Sequence, residues 1–82
     1  MRIEPKYRRA LGAAIRKTRK SHNLTQEELS ELVGLSPRWI QKIESGRSNP
    51  NWFHLLQIMA VLKIEPTELA REVGMDVPVS AG

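Results

Sequence analysis

Arg38, Gln41 and Lys42 lie within one helical turn of each other in the stretch "GLSPRWIQKIESGRSNP", Gly34 to Pro50. A guanidinium, a carboxamide and an ammonium together offer many N–H donors and little acceptor capacity. That is equipment for grasping an acceptor-rich or anionic surface. The residues needed to make and break bonds are missing. The two histidines, His22 and His54, are far apart in sequence, with no Cys or acid nearby at ligand spacing. There is no Gly-rich phosphate loop and no Ser/His/Asp pattern. No catalytic residue, metal or cofactor is therefore expected.

The element that carries these donors is short. Ser36 is a start signal and Pro37 suits the first helical position, where a missing N–H costs nothing. Ile40 and Ile43 face inward, and Ser45-Gly46 stops the helix after about two turns. A helix of that length buries little and is marginal alone, so its neighbours must hold it. Four further helices are predicted. The first runs from about Pro5 to Ser21, with Tyr7, Leu11, Ala14, Ile15 and Thr18 on one stripe, and Asn23 suits a left-handed stop after it. In "TQEELSELVG", Thr25 and Glu28 form a capping box, Leu29, Leu32 and Val33 are the expected buried side, and Gly34 ends the helix. Asn51 caps "WFHLLQIMAVL", which is apolar on more than one face and is expected to be central. Glu65-Pro66 opens "PTELAREV". No stretch has the period-two alternation of a strand. The fold class is all-α, a compact five-helix domain over residues 1–75, with residues 76–82 a flexible tail.

Charge is uneven along the 82 residues: the first twenty carry eight Lys/Arg against one acid, Glu4. A basic pole on a small domain suits a polyanion. No apolar run reaches the roughly 18 residues of a membrane span, and no signal peptide is visible. The chain has no cysteine, which excludes disulfides and suits a reducing cytosol, so a cytoplasmic protein is expected.

Two helices joined through "LVGLSPRW" form a helix-turn-helix unit. Its second helix projects outward and fits the DNA major groove with its first residues at the base edges. The motifs "IRKTRKSHNLTQEELSELVGLS", "WIQKIESGRSNP" and "LLQIMAVLKIEPTEL" resemble the Cro/phage-repressor (lambda-repressor-like, xenobiotic-response-element) helix-turn-helix family over about three quarters of the chain. The resemblance implies base contacts from Pro37, Arg38, Gln41 and Lys42. Pro37 departs from the polar residues often found at its position and can offer only apolar contact. It implies DNA-backbone contacts from Gln26, Trp39, Arg47, Ser48, Asn49, Asn51 and Trp52. Trp39 either meets the sugar-phosphate backbone or covers the second helix. Arg19 and Glu44 match a structural ion pair. Phe53 stands where the family has a polar residue: it is either exposed to a partner or core in a rotated helix.

The implied activity is that of a sequence-specific regulator binding double-stranded DNA as a homodimer on a (pseudo)palindromic operator. Ile64, Leu69, Val73 and Met75 either form the dimer surface or complete the core. A protein-binding module of the same fold, antitoxin-like or co-activator-like, is the alternative, with a protein partner in place of DNA.

Overall fold

The computed structural model of the chain describes residues 2–75, so the 76–82 tail lies outside the described residues. Five helices follow in order: α1 Pro5–Ser21, α2 Gln26–Val33, α3 Pro37–Glu44, α4 Trp52–Leu62 and α5 Pro66–Glu72. Among the described residues there is no strand, as the patterning predicts.

The helix ends form where local chemistry places them. Asn23 takes φ 57° after α1, a left-handed conformation that Asn tolerates better than most residues. At α2 the capping box is reciprocal: the Glu28 N–H donates to Thr25 Oγ1 at 3.0 Å and the Thr25 N–H to Glu28 Oε1 at 2.9 Å. Gly34 closes α2 at φ 72°. The Ser36 hydroxyl accepts from the Trp39 N–H at 3.1 Å, and Asn51 Oδ1 accepts from the His54 N–H at 2.8 Å. Each such cap is worth about 1 kcal/mol, a large fraction of what an eight-residue helix can contribute.

The core joins Leu11, Ala14 and Ile15 of α1, Leu29 and Val33 of α2, Ile40 and Ile43 of α3, Leu55, Ile58, Met59 and Leu62 of α4, and Leu69 of α5. α3 packs on α1 and α2, α4 chiefly on α2, and α5 on α1. Two expectations are corrected. Leu32 is 58% exposed, whereas Ser30 is buried. At 100° per residue the arc through Leu29, Val33 and Ser30 leaves Leu32 about 60° beyond its Leu29 edge. Ser30 can turn inward because its hydroxyl donates to the Glu27 carbonyl at 2.7 Å. The breadth of apolar surface on α4 reflects an open face, with Trp52, Phe53 and Leu56 exposed, and not a central position. Phe53 is thus outside the core.

One polar cluster is buried with the apolar residues. Arg19 Nε donates to Glu44 Oε2 at 2.6 Å and Nη2 donates to Oε1 at 3.0 Å, while Nη1 donates to the Leu24 carbonyl at 2.7 Å. The two side chains are 8% and 3% exposed, so the ion pair expected from the resemblance is present and withdrawn from water. The hydrogen bond to Glu44 raises the Arg19 pKa further; desolvation opposes this, and the Glu44 and Glu27 charges add to the rise. The guanidinium is therefore ionised at every working pH, and the stability that its raised pKa contributes is lost as pH rises into strong alkali. Beside the pair, α1 approaches the end of α3 through Gly12. A Cβ there would press on the Ile43 carbonyl oxygen and lie 2.6 Å from that of Glu44.

Two outcomes follow from this joint. Gly12→Ala gains about 1 kcal/mol of helix propensity but drives α1 off α3, for a net loss of about 1–3 kcal/mol. A lower urea midpoint with an unchanged slope is the expected readout. Glu44→Leu leaves Arg19 buried and unpaired and costs about 3–5 kcal/mol, whereas Arg19→Met with Glu44→Leu recovers most of that loss. Urea melts of the two single variants and the double variant check this by a double-mutant cycle.

Candidate nucleic-acid interface

α3 has two faces of opposite character. Ile40 and Ile43 are 0% and 2% exposed, while Pro37, Arg38, Gln41 and Lys42 all face solvent. The inner face and the Ser36 cap fix the helix, and none of the four outer side chains has a hydrogen-bond partner among the described residues. They line a shallow concavity together with Gln26 and Glu27 from α2 and Arg47 from the loop after α3. Residues drawn from three segments of sequence thus converge on one surface. It carries three cationic side chains and one carboxylate. Glu27 was not singled out from the sequence. Only its place beside Gln26 at the start of α2 hinted at it. Its carboxylate can accept from a cytosine amino group and disfavours a phosphate close by.

Gln26 is held as well as exposed to this concavity. Its Nε2 donates to Glu44 Oε1 at 3.1 Å, so the buried ion pair also sets the start of α2. A carboxamide nitrogen carries two N–H groups, which leaves one for an outside acceptor.

Trp39 is half-buried against the core, and its ring meets that of His54 edge-on at 4.9 Å. It therefore links α3 to α4, and its indole N–H has no partner among the described residues. In the loop, Arg47 Nε donates to Ser45 Oγ at 2.9 Å, which aims the rest of the guanidinium outward. Ser48 is half-buried and Asn49 exposed. Asn49 Oδ1 accepts from the backbone N–H of Ile3 at 2.9 Å, a contact across 46 residues that no local pattern signals. Asn51 uses its side-chain oxygen as the α4 cap, leaving the N–H groups of Trp52 and Phe53 at the positive end of the helix dipole without partners among the described residues. That is a suitable seat for a phosphate oxygen. Arg47 to Trp52 form one continuous flank beside α3.

The four residues at the end of the chain divide. Leu69 is buried in the protomer's own core, Ile64 and Val73 are half-buried, and Met75 is 50% exposed. With Ile3, Tyr7 and Trp52, the residues Leu69, Val73 and Met75 line an apolar groove of about 510 Å³ between the start of α1, α4 and α5, and Ile64 lies outside it.

Comparison with known proteins agrees with this arrangement. The sequence matches the helix-turn-helix family over residues 15–69. It is 31% identical over 62 residues to the HTH-type transcriptional regulator y4dJ of Sinorhizobium fredii, covering 76% of this chain and 80% of that protein. It is 38% identical over 61 residues to a protein of Yarrowia lipolytica named for multi-protein-binding factor 1, covering 74% of this chain but only 40% of that protein's length. The crystal structure of the clp gene regulator ClgR from Corynebacterium glutamicum superposes with a TM-score of 0.77 at 30% identity, over 82% of this chain and 71% of that one. No described helix is long and apolar enough to cross a membrane. The chain belongs to the lambda-repressor-like helix-turn-helix family of DNA-binding regulators, a fold of recognition and not an enzyme class.

Proposed function

We propose that the protein is a sequence-specific transcriptional regulator that binds a (pseudo)palindromic double-stranded DNA operator as a homodimer, with α3 in the major groove. The observation that carries this reading is the outer face of α3. Arg38, Gln41 and Lys42 are free, exposed and mounted on a helix whose inner face is locked. Arg38, in the first turn, has a fork that matches guanine O6 and N7 together. Lys42 lies one turn on, within reach of a base or a phosphate, and Gln41 stands beside it. Pro37 offers apolar contact, such as to a thymine methyl. Gln26 with its remaining N–H, Trp39 with its indole N–H, and the flank from Arg47 through Ser48, Asn49, Asn51 and Trp52 supply phosphate contacts that set register. Residues 1–75 form the DNA-binding domain.

A helix of eight residues spans only a few base pairs, so one copy binds weakly and reads little. Two copies related by a two-fold axis read half-sites about one helical turn apart and add their energies. The dimer surface in this reading is α5 with its flanks, where Ile64, Val73 and Met75 remain at least partly open. Glu65 and Glu68 add negative charge to that side, while Glu72 is paired with Lys17. A second reading, a protein-binding module, is favoured by one observation. The name of the Yarrowia lipolytica relative suits the apolar groove and the exposed Trp52 and Phe53.

Selection of bound duplexes from a random pool separates the two. A two-fold motif is expected, and Arg38→Ala should relax one position in each half-site at a cost of about 1–3 kcal/mol per lost bidentate contact. Weak, sequence-blind binding that falls steeply with salt would instead give the function to the protein-binding reading.

A further inference from the structure

The Ile3–Asn49 hydrogen bond is unlike the other links to the loop. A carboxamide has one acceptor end and one donor end of nearly equal shape, and only the donor end is useful against a phosphate. An N–H can bond only to the oxygen. While the Ile3 N–H donates to Asn49 Oδ1 at 2.9 Å, the Asn49 NH2 must therefore point the other way. It is exposed and has no partner among the described residues. Asn49 lies two residues after Arg47, which borders the α3 concavity, and two before Asn51, the cap of α4. Any strand of phosphates running from Arg47 to the α4 N-terminus passes it. Ile3 is itself anchored: its side chain packs on the core and borders the apolar groove. Glu4, at φ −59° and ψ 146°, brings the chain into Pro5 in an extended form.

We propose that the backbone N–H of Ile3 is a positioning group for DNA binding: it holds the Asn49 carboxamide with its NH2 end turned out for a phosphate. The Arg2–Glu4 segment thereby becomes part of the DNA-backbone site without touching DNA. This rests on the reading of residues 47–52 as the backbone-contacting flank. The advantage is preorganisation, because the carboxamide need not be reoriented on binding. The contact is neutral and goes to phosphate, so it adds affinity for any duplex without releasing a counterion of its own.

The test measures duplex affinity for the selected and for an unrelated sequence, across a salt series, in Ile3→Pro, Ile3→Ala, Asn49→Ala, Asn49→Asp and the Ile3→Pro/Asn49→Ala pair. Ile3→Pro should weaken both duplexes alike, about three- to fivefold, with the salt slope and the preferred motif unchanged. Ile3→Ala, which keeps the N–H but shortens the side chain that anchors it, should lose clearly less than Ile3→Pro. Asn49→Ala should lose about tenfold, as for one hydrogen bond to a charged group. Asn49→Asp keeps the acceptor for Ile3 but turns a negative charge toward phosphate, and should lose more. Ile3→Pro should add nothing further once Asn49 is Ala. The proposal is overturned if Ile3→Pro binds like the parent, or if its loss is the same with Asn49 present or absent. If Asn49→Ala binds like the parent while Arg38→Ala is weakened, the assignment of Asn49 to phosphate fails and takes the proposal with it, but the regulator reading stands. Should Ile3→Pro fail to fold by circular dichroism, a synthetic chain with an ester oxygen in place of the Ile3 N–H gives the same comparison.

Discussion

A guanidinium and a carboxylate withdrawn from water form the joint on which the rest of the molecule depends. Arg19 reaches from the end of α1 to Glu44, the last residue of α3, and binds it through two nitrogens. Its third nitrogen holds the Leu24 carbonyl in the turn between α1 and α2, and Glu44 also receives the Gln26 side chain from the start of α2. Four segments are tied by one pair. Desolvating two charges offsets most of the Coulombic gain, so the pair contributes geometry more than stability. Its hydrogen bonds are directional, where apolar packing is not. That explains why a helix as short as α3 keeps a defined pose.

The pose matters because the rest of α3 has little to hold it. Two isoleucines, the half-buried Trp39, one hydroxyl cap and the Gly12 notch complete its attachment. Gly12 lets the α1 backbone come against the last carbonyls of α3, so the Arg19 side chain has a short path to Glu44. Notch and ion pair support each other, one setting how near the two helices lie and the other how they are turned. With the inner face so fixed, the outer side chains are left free to follow a ligand. The loop after α3 and the start of α4 continue the same surface, and Trp39 against His54 keeps α3 and α4 from moving independently.

Much of this was legible in the sequence, because much of it is local. Helix starts are chemical events within four residues: Thr25 with Glu28, Ser36 with Pro37, and Asn51 before an apolar run each announce themselves. Gly34 and Asn23 mark stops for the same reason. The donor-rich face of α3 follows from spacing alone. What escaped depends on contacts between distant residues. The rotation of α2 that buries Ser30 and exposes Leu32 is decided by which neighbour the helix meets. An eight-residue helix with three inward candidates does not decide that itself. The bond from Gln26 to Glu44 and the one from Ile3 to Asn49 join residues that no periodicity connects. Glu27 is a first-turn acid of α2, and its place on the rim of the concavity depends on where α3 lies.

In the function proposed above, duplex DNA sits on the outer face of α3 and the flank from Arg47 to Trp52. The first measurement is of amide shifts of the 15N-labelled chain during titration with the selected duplex. The largest changes are expected at Arg38 to Lys42, Gln26, Arg47 to Asn49 and Asn51 to Phe53, with the buried Arg19–Glu44 joint keeping its geometry. Changes confined to the basic exposed side of α1, or to α5 and the apolar groove, with the α3 amides unmoved, would contradict that placement.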